Sequence, residues 1–185
     1  MARWAGDPVD RDVAGCRSVN EATYAACLEI RPSLLGGVGA FATRPIGAGE
    51  PFHRLGGRRV SVLQLAASIT RGTVAWGDPF PIDDRHYLVL DPVSRALNHS
   101  CDPNSGCRGY DEVIALRDIA PGEEVTYDYS MITPRRWYAF RWHMACRCAT
   151  PACRRVVRDI RSVPDSVIEL HLAHGAVLNY LLRRA

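Results

Sequence analysis

The sequence predicts a mainly β domain with short helices and one helix at its C-terminal end. Three observations carry that expectation. Short runs of β-type residues alternate with Gly/Pro turns from about residue 25 onward. Helical periodicity is confined to 60–69 and to the chain's end. The stretch "ATRPIGAGE" (42–50) is echoed by "ALRDIAPGE" (115–123), with Ala, Arg, Ile, Gly and Glu at identical offsets. Both copies read as strand, turn, strand, so two similar corners are expected in one sheet system.

Taken in order, residues 1–27 are weakly patterned and read as an N-terminal arm. Strands are expected over 25–30, 39–43, 51–55, 87–91, 113–117 and 124–129, with a short helix over 60–69. The glycines of "LLGGVGAFA" (34–42) permit close approach by a ligand or another strand. Over 161–185, Pro164 and Asp165 suit a first helical turn. Val167, Leu170, Val177, Leu178 and Leu181 then form an apolar stripe, with His171 and His174 beside it as surface or satisfied core residues.

Composition excludes several classes. The chain has 185 residues, 47% of them hydrophobic and 23% charged, which suits one soluble domain with a real core. No run of about 18 apolar residues exists, so no membrane span is expected. The N-terminus lacks the apolar core of a secretory signal, so the expected location is intracellular, in the cytoplasm. All 23 basic residues are arginines. Eight of them (Arg135, Arg136, Arg141, Arg147, Arg154, Arg155, Arg158 and Arg161) fall in 133–161 against one acid, Asp159. "RRWYAFRWH" (135–143) interleaves arginines with aromatics, a pattern that can stack on bases. A solvated face around a metal knuckle explains it equally well, and nucleic acid is not assigned as a ligand.

Seven cysteines in an intracellular chain point to metal rather than to a disulfide framework. Cys16, Cys27 and Cys107 stand alone and read as small hydrophobes. Cys146, Cys148 and Cys153 form C-x-C-x4-C, three thiolates where structural zinc takes four ligands. His143 is near in sequence, but Cys101 in "NHSCDPN" (98–104) is the better chemical match for an all-thiolate site. Such a site would pin a tail of low apolar content to the body of the domain.

These stretches resemble the SET-domain protein lysine methyltransferases. "GGVGAFA" (36–42) is similar to that family's G-x-G segment, and "RALNHSCDPN" (95–104) to its R-F-x-N-H-S-C-x-P-N block. "GEEVTYDYS" (122–130) resembles G-E-E-L-T-x-D-Y, and "CRCATPACR" (146–154) the post-SET C-x-C-x4-C. The resemblance implies small curved β-sheets with a pseudoknot. It divides the chain into a SET domain over 28–131, a post-SET segment over 132–160 and a C-terminal helix over 161–185.

It also implies S-adenosylmethionine as cofactor, a structural zinc on Cys101, Cys146, Cys148 and Cys153, and a protein substrate with an exposed lysine. Gly37, Val38, Gly39, Arg95, Asn98 and His99 would contact the cofactor. Tyr129 would be the catalytic tyrosine, also touching the cofactor. Tyr127 would tune how many methyls fit, with mono- or dimethylation expected, and Tyr87 would line the lysine channel.

Three departures stand out. "FHRLGG" (52–57) lacks the family's Y-x-G-E tyrosine, so one channel wall is expected to differ, and whether Arg54 or Leu55 takes its place is left open by the sequence. "CRCAT" lacks a glycine after its second cysteine, and no cysteine-rich pre-SET module is present. An inactive SET-like binding module and a small-amine methyltransferase are the competing readings. Methyl transfer to an amine is an in-line displacement, so alignment supplies much of the rate and no acid–base triad is required.

Overall fold

The computed structural model describes residues 27–75, 78–133 and 143–182. The N-terminal arm before Cys27 and the stretch 134–142, which holds most of the arginine–aromatic run, lie outside them. Among the described residues, no helix is long and apolar enough to cross a membrane.

Strands β1 (Leu28–Pro32) and β2 (Val38–Ala42) form an antiparallel hairpin. Gly36 and Gly37 turn it with φ of 126° and 64°, values that other residues rarely adopt. Strands β3 (Pro51–Arg54) and β4 (Gly57–Ser61) follow, then helix α1 (Val62–Thr70). The expected helix over 60–69 starts two residues late because Ser61 builds a capping box. The Gln64 N–H donates to Ser61 Oγ (3.3 Å), and the Ser61 N–H donates to Gln64 Oε1 (2.8 Å). Strands β5 (Pro79–Pro81) and β6 (His86–Leu90) pair with β4 in the order β4-β6-β5.

A short helix α2 (Pro92–Arg95) leads into β7 (Asn98–His99), β8 (Ser105–Arg108), β9 (Glu112–Ala115) and β10 (Thr126–Tyr127). The five-stranded sheet has the order β3-β9-β8-β10-β7. Strand β10 is parallel to both β7 and β8, although 98–108 precede it in the chain. Strands β7 and β8 are consecutive, so the loop 100–104 that joins them must cross over β10. This is the threading expected of a pseudoknot. The strand expected over 124–129 is cut to two residues because Asp128 caps a turn: the Ser130 N–H donates to Asp128 Oδ1 at 2.9 Å. Tyr129 therefore opens a 3-10 turn, Tyr129–Ile132, at the end of the threaded strand.

The two echoed corners meet each other. Ile46 and Ile119 exchange backbone hydrogen bonds of 3.0 and 2.9 Å. The Gly49 N–H donates to the Ala115 carbonyl at 2.8 Å, and the Gly122 N–H to the Ala42 carbonyl at 2.7 Å. Both glycines have φ of 79°. The repeat is thus a local pseudo-twofold, with Ile46 and Ile119 buried at its axis.

Strands β11 (Met144–Ala145) and β12 (Val156–Val157) make a two-residue ladder in the tail. The single C-terminal helix expected over 161–185 is divided. Helix α3 (Asp165–Ala173) ends at Gly175, whose φ of 63° reverses the chain, and α4 (Asn179–Leu182) follows. Between them, Leu178 is fully buried in the main core, while Leu170 on α3 is 42% exposed. The apolar stripe therefore belongs to two elements. His171 is a buried core residue whose Nδ1 pairs with the Val167 carbonyl at 2.9 Å.

Candidate active site and metal centre

The threaded strand presents Tyr127 and Tyr129 to one cavity. Its walls are Asp78, Pro79, Phe80, Leu90, Ser94, Arg95, Leu97, Tyr127, Tyr129, Ile132 and Thr133, around about 590 Å³ of space partly open to solvent. The rings of Tyr127 and Tyr129 lie 4.8 Å apart, and Phe80 meets Tyr127 edge-on at 6.4 Å. The Tyr129 hydroxyl donates to the Leu97 carbonyl at 2.8 Å. Its single hydrogen is thereby used, and the oxygen keeps lone pairs as acceptors. Burial, reinforced by the nearby Asp78 carboxylate, pushes the Tyr129 phenol above its usual pKa, so it stays neutral. Tyr127 is likewise raised by burial first.

Among the lining residues, the titratable side chains are Asp78, Arg95 and the two tyrosines. Arg95 Nη2 sits 3.1 Å from Asp78 Oδ2.

The structure does not bring Tyr87 to this cavity. Tyr87 pairs with Val60 across β4 and β6 and packs with Val60, Leu65 and Val74 in a separate cluster under α1. On the other face of β6, Leu88 is in register with Phe80. Side chains alternate along a strand, so Phe80, Leu88 and Leu90 face the main core and Tyr87 faces away. Phe80 is the aromatic that the sequence reading missed.

Nor does Arg54 or Leu55 replace the missing tyrosine. Arg54 lies 3.7 Å from Asp111, and Leu55 is buried in the main core. The neighbouring His53 instead reaches the cavity through Ser94: His53 Nε2 and Ser94 Oγ are 3.0 Å apart. Burial, opposed by Asp91, holds the His53 imidazole down to about 4, so it is neutral at physiological pH.

The glycine segment lies beside the cavity. Asn98 Nδ2 donates to the Val38 carbonyl (2.9 Å) and to Glu124 Oε1 (2.7 Å), joining the β2 edge to the strand that leads into Tyr127. A Cβ on Gly39 would lie 2.3 Å from Glu124 Oε1, so the glycine is required by that carboxylate rather than by its own backbone angle. Val38 is 52% exposed, and a Cβ added at Gly37 would meet nothing within 4 Å.

Cys101, Cys146, Cys148 and Cys153 converge, with all four sulfurs within 4.8 Å of one another. Cys101 Sγ and Cys146 Sγ are 3.7 Å apart. A tetrahedron with metal–sulfur bonds of about 2.3 Å has sulfur–sulfur edges of about 3.8 Å. Backbone N–H groups of Cys148, Arg154 and Arg155 donate to Cys146, Cys101 and Cys153 sulfurs at 3.4–3.5 Å. Burial pushes the Cys101 and Cys146 thiols up; it also opposes ionisation of Cys148, but hydrogen bonds headed by the Thr150 hydroxyl hold that thiol down to about 6. Four thiolates this close repel one another, and a divalent cation is the group that removes the conflict. The residues present fit a structural zinc.

Cys27 and Cys107 are buried apart from the cluster. His143 is absent from the converging set. His99 is part of the support instead. The Tyr129 N–H donates to His99 Nδ1 at 3.2 Å, so the ring proton sits on Nε2, which faces Cys101 Sγ at 3.3 Å. Burial, opposed by Asp128, lowers the imidazole to about 4 and keeps it neutral. Only its main chain is left for a cofactor.

Ala149 stands where the post-SET pattern carries glycine, and its φ is 55°. A left-handed alanine costs about 1 kcal/mol relative to glycine. Ala149→Gly is therefore expected to slow zinc transfer to a competing chelator several-fold, by relieving the knuckle; faster loss would show that the turn carries no strain.

Comparison with known proteins agrees with this geometry. A family model for the SET domain matches residues 37–130. The histone-lysine N-methyltransferase ATX2 of Arabidopsis thaliana is 32% identical over 74% of this chain and 13% of its own length. The histone H3-lysine(4) N-trimethyltransferase ATX1 of the same plant is 31% identical over 74% of this chain and 14% of its own. The histone-lysine N-methyltransferase TRX1 of rice, Oryza sativa, is 36% identical over 47% of this chain and 9% of its own. The chain thus spans well under a fifth of each relative's length. Among solved structures, a humanized mutant of the Chaetomium thermophilum Polycomb Repressive Complex 2 with the inhibitor GSK126 aligns with a TM-score of 0.51 at 23% identity, covering 58% of this chain and 15% of that one. That similarity supports the fold. By the family match over half its length, with the threaded strand, the G-x-G edge and the tyrosine pair in place, the chain belongs to the SET domain family.

Proposed function

We propose that the chain is an S-adenosylmethionine-dependent methyltransferase acting on the ε-amine of a lysine in a histone or other basic protein. The observation that carries this reading is the cavity floored by Tyr127 and Tyr129, with the Tyr129 hydroxyl fixed on the Leu97 carbonyl one residue from Asn98. S-adenosylmethionine, when bound, supplies an electrophilic methyl group on a sulfonium. Gly37, Val38, Asn98 and the His99 main chain are the residues that would hold it, Val38 being exposed at the start of β2 and Asn98 bonded to it next to the cavity-lining Leu97. The three relatives, each named as a histone-lysine methyltransferase, support the substrate class.

Free lysine has a pKa of about 10.4, so presenting a neutral amine at pH 7 costs about 4.6 kcal/mol. The cavity lowers that cost by surrounding the amine with Phe80, Leu90, Leu97 and Ile132, which disfavour the ammonium. Asp78 and Arg95 at the wall compensate each other's charge. With both tyrosines neutral, the enzyme receives the lysine already deprotonated to solvent. The Tyr129 oxygen then orients the reacting groups by its lone pairs. Calorimetric titration with S-adenosylmethionine tests the donor assignment: a single site per chain, weakened by Asn98→Ala, is expected, and no binding to zinc-loaded protein would refute it.

The same geometry bears on how many methyls are added. Tyr127 lines the cavity with its ring buried against Phe80 and Tyr129, and the resemblance to the family puts its hydroxyl at the inner end of the lysine channel. A second or third methyl displaces its partner water or amine, costing roughly 1–3 kcal/mol. Mono- or dimethylation is the expected product, and Tyr127→Phe should shift it toward trimethyl-lysine. Time-resolved mass spectrometry decides; rapid trimethylation by the unmutated protein would sink the idea.

A further inference from the structure

Arg154 is one of the eight arginines of the basic tail, yet it points inward. Its guanidinium Nη2 donates to Asp128 Oδ1 at 2.6 Å, with the Asp128 side chain fully buried and that of Arg154 only 12% exposed. Nη2 also reaches Ser130 Oγ at 3.4 Å. The same residue's backbone N–H donates to Cys101 Sγ at 3.4 Å. From Cys101 the chain of bonds returns through His99 to the Tyr129 N–H, and Asp128 precedes Tyr129 and caps its turn. The bonds close a ring: Cys101, His99, Tyr129, Asp128, Arg154, and back to Cys101.

We propose that Arg154 is a positioning residue, which ties the order of the four-cysteine knuckle to the placement of Tyr129 through Asp128. The proposal rests on the reading of Tyr129 as catalytic, but the ring itself does not. Two features argue against a purely stabilising pair. Asp128 Oδ2 and Arg154 Nε and Nη1 are buried with no hydrogen-bond partner among the described residues. A buried ion pair so incompletely satisfied contributes little net stability. It also links the knuckle directly to the turn that carries Tyr129, beside the bond from the Ile160 N–H to the Thr133 carbonyl and the packing of Val163 on Met131 farther along. The knuckle's own bonds are those to its sulfurs and a two-residue ladder, while Asp128 caps the turn that follows β10. A charge-assisted bond between them makes the knuckle's order felt at Tyr129, and disordering either end loosens the other.

The test uses the full zinc-loaded chain with Arg154→Ala, Arg154→Lys, Arg154→Gln, Asp128→Asn and the Asp128→Asn/Arg154→Gln double variant. Arg154→Ala should keep one zinc per chain and the donor's Kd. Amide exchange over 127–132 should speed up by about tenfold, with kcat down by a similar factor and the protein-substrate KM within about threefold. Arg154→Lys, which restores a cation, should recover most of both losses. The double variant should be no slower than Asp128→Asn alone, because the two residues act as one unit.

Unchanged exchange over 127–132 in zinc-loaded Arg154→Ala would overturn the proposal, as would zinc loss in proportion to activity. If Arg154→Ala does not fold, multiplicative losses in the double variant would overturn it. Exchange and zinc content report on the ring even if the wild-type chain methylates nothing, so failure of the methyltransferase reading is separately visible.

Discussion

Tyr129→Phe is expected to lower kcat by about a hundredfold while zinc content and donor affinity stay within about twofold of wild type. The ring would remain against Tyr127 and His99, so packing is kept and the fold loses only the bond to the Leu97 carbonyl, about 1–3 kcal/mol. What disappears is one oxygen whose hydrogen is committed to the Leu97 carbonyl. That commitment costs no reorganisation during reaction, and a preorganised dipole against a buried, largely apolar wall is worth more than one in water. The phenol is not a base: burial and Asp78 keep it protonated. The loss should therefore be the same across the pH range in which the lysine amine itself titrates. A variant that turned over at the wild-type rate would reduce Tyr129 to a packing residue of the threaded strand.

Cys101→Ser is expected to abolish stoichiometric zinc and unfold the tail while leaving the β1–β2 hairpin intact. Cys101 is the one ligand in the domain body, on the loop that crosses β10; Cys146, Cys148 and Cys153 all lie in the tail. Without the sulfurs, the tail's backbone ladder is two residue pairs, Met144 with Val157 and Ala145 with Val156. A hairpin that short is not stable in water. Structural zinc sites bind with apparent free energies of about 10–16 kcal/mol, and a zinc on these four sulfurs would supply folding free energy to the tail. Hydrogen exchange should show protection lost over 143–157 and kept over 38–42. Equal loss in both would mean that the site holds the whole domain rather than its tail.

The residues legible in the sequence are those whose chemistry is unusual for their setting. Three cysteines at C-x-C-x4-C demanded a fourth thiolate, and the structure brings Cys101 to them. The resemblance gives Asn98 and the glycine edge to one cofactor and Tyr127 and Tyr129 to one reaction, and the structure sets Asn98 on Val38 and the two rings side by side. Strand faces were not legible in the same way. "HYLVLD" shows no alternation that tells Tyr87 from Leu88, because β6 is covered on both sides: α1 packs on one, the main core on the other. A one-residue shift exchanges the faces, and so Phe80 was missed in favour of Tyr87. The C-terminal helix was overextended because Val177 and Leu178 sit at helical spacing, although Gly175 had already ended the element. Arg154 read as part of a charged run because nothing local marks an arginine that pairs with an aspartate 26 residues earlier.

The central claim is methyl transfer to a lysine amine. Its most direct measurement is mass spectrometry of core histones and other lysine-rich proteins incubated with the zinc-loaded chain and S-adenosylmethionine, with Tyr129→Phe run alongside. One or two methyl groups added at lysine side chains by the wild-type chain, and almost none by the variant, are expected. Methyl groups found elsewhere than on lysine, or equal transfer by Tyr129→Phe, would contradict it.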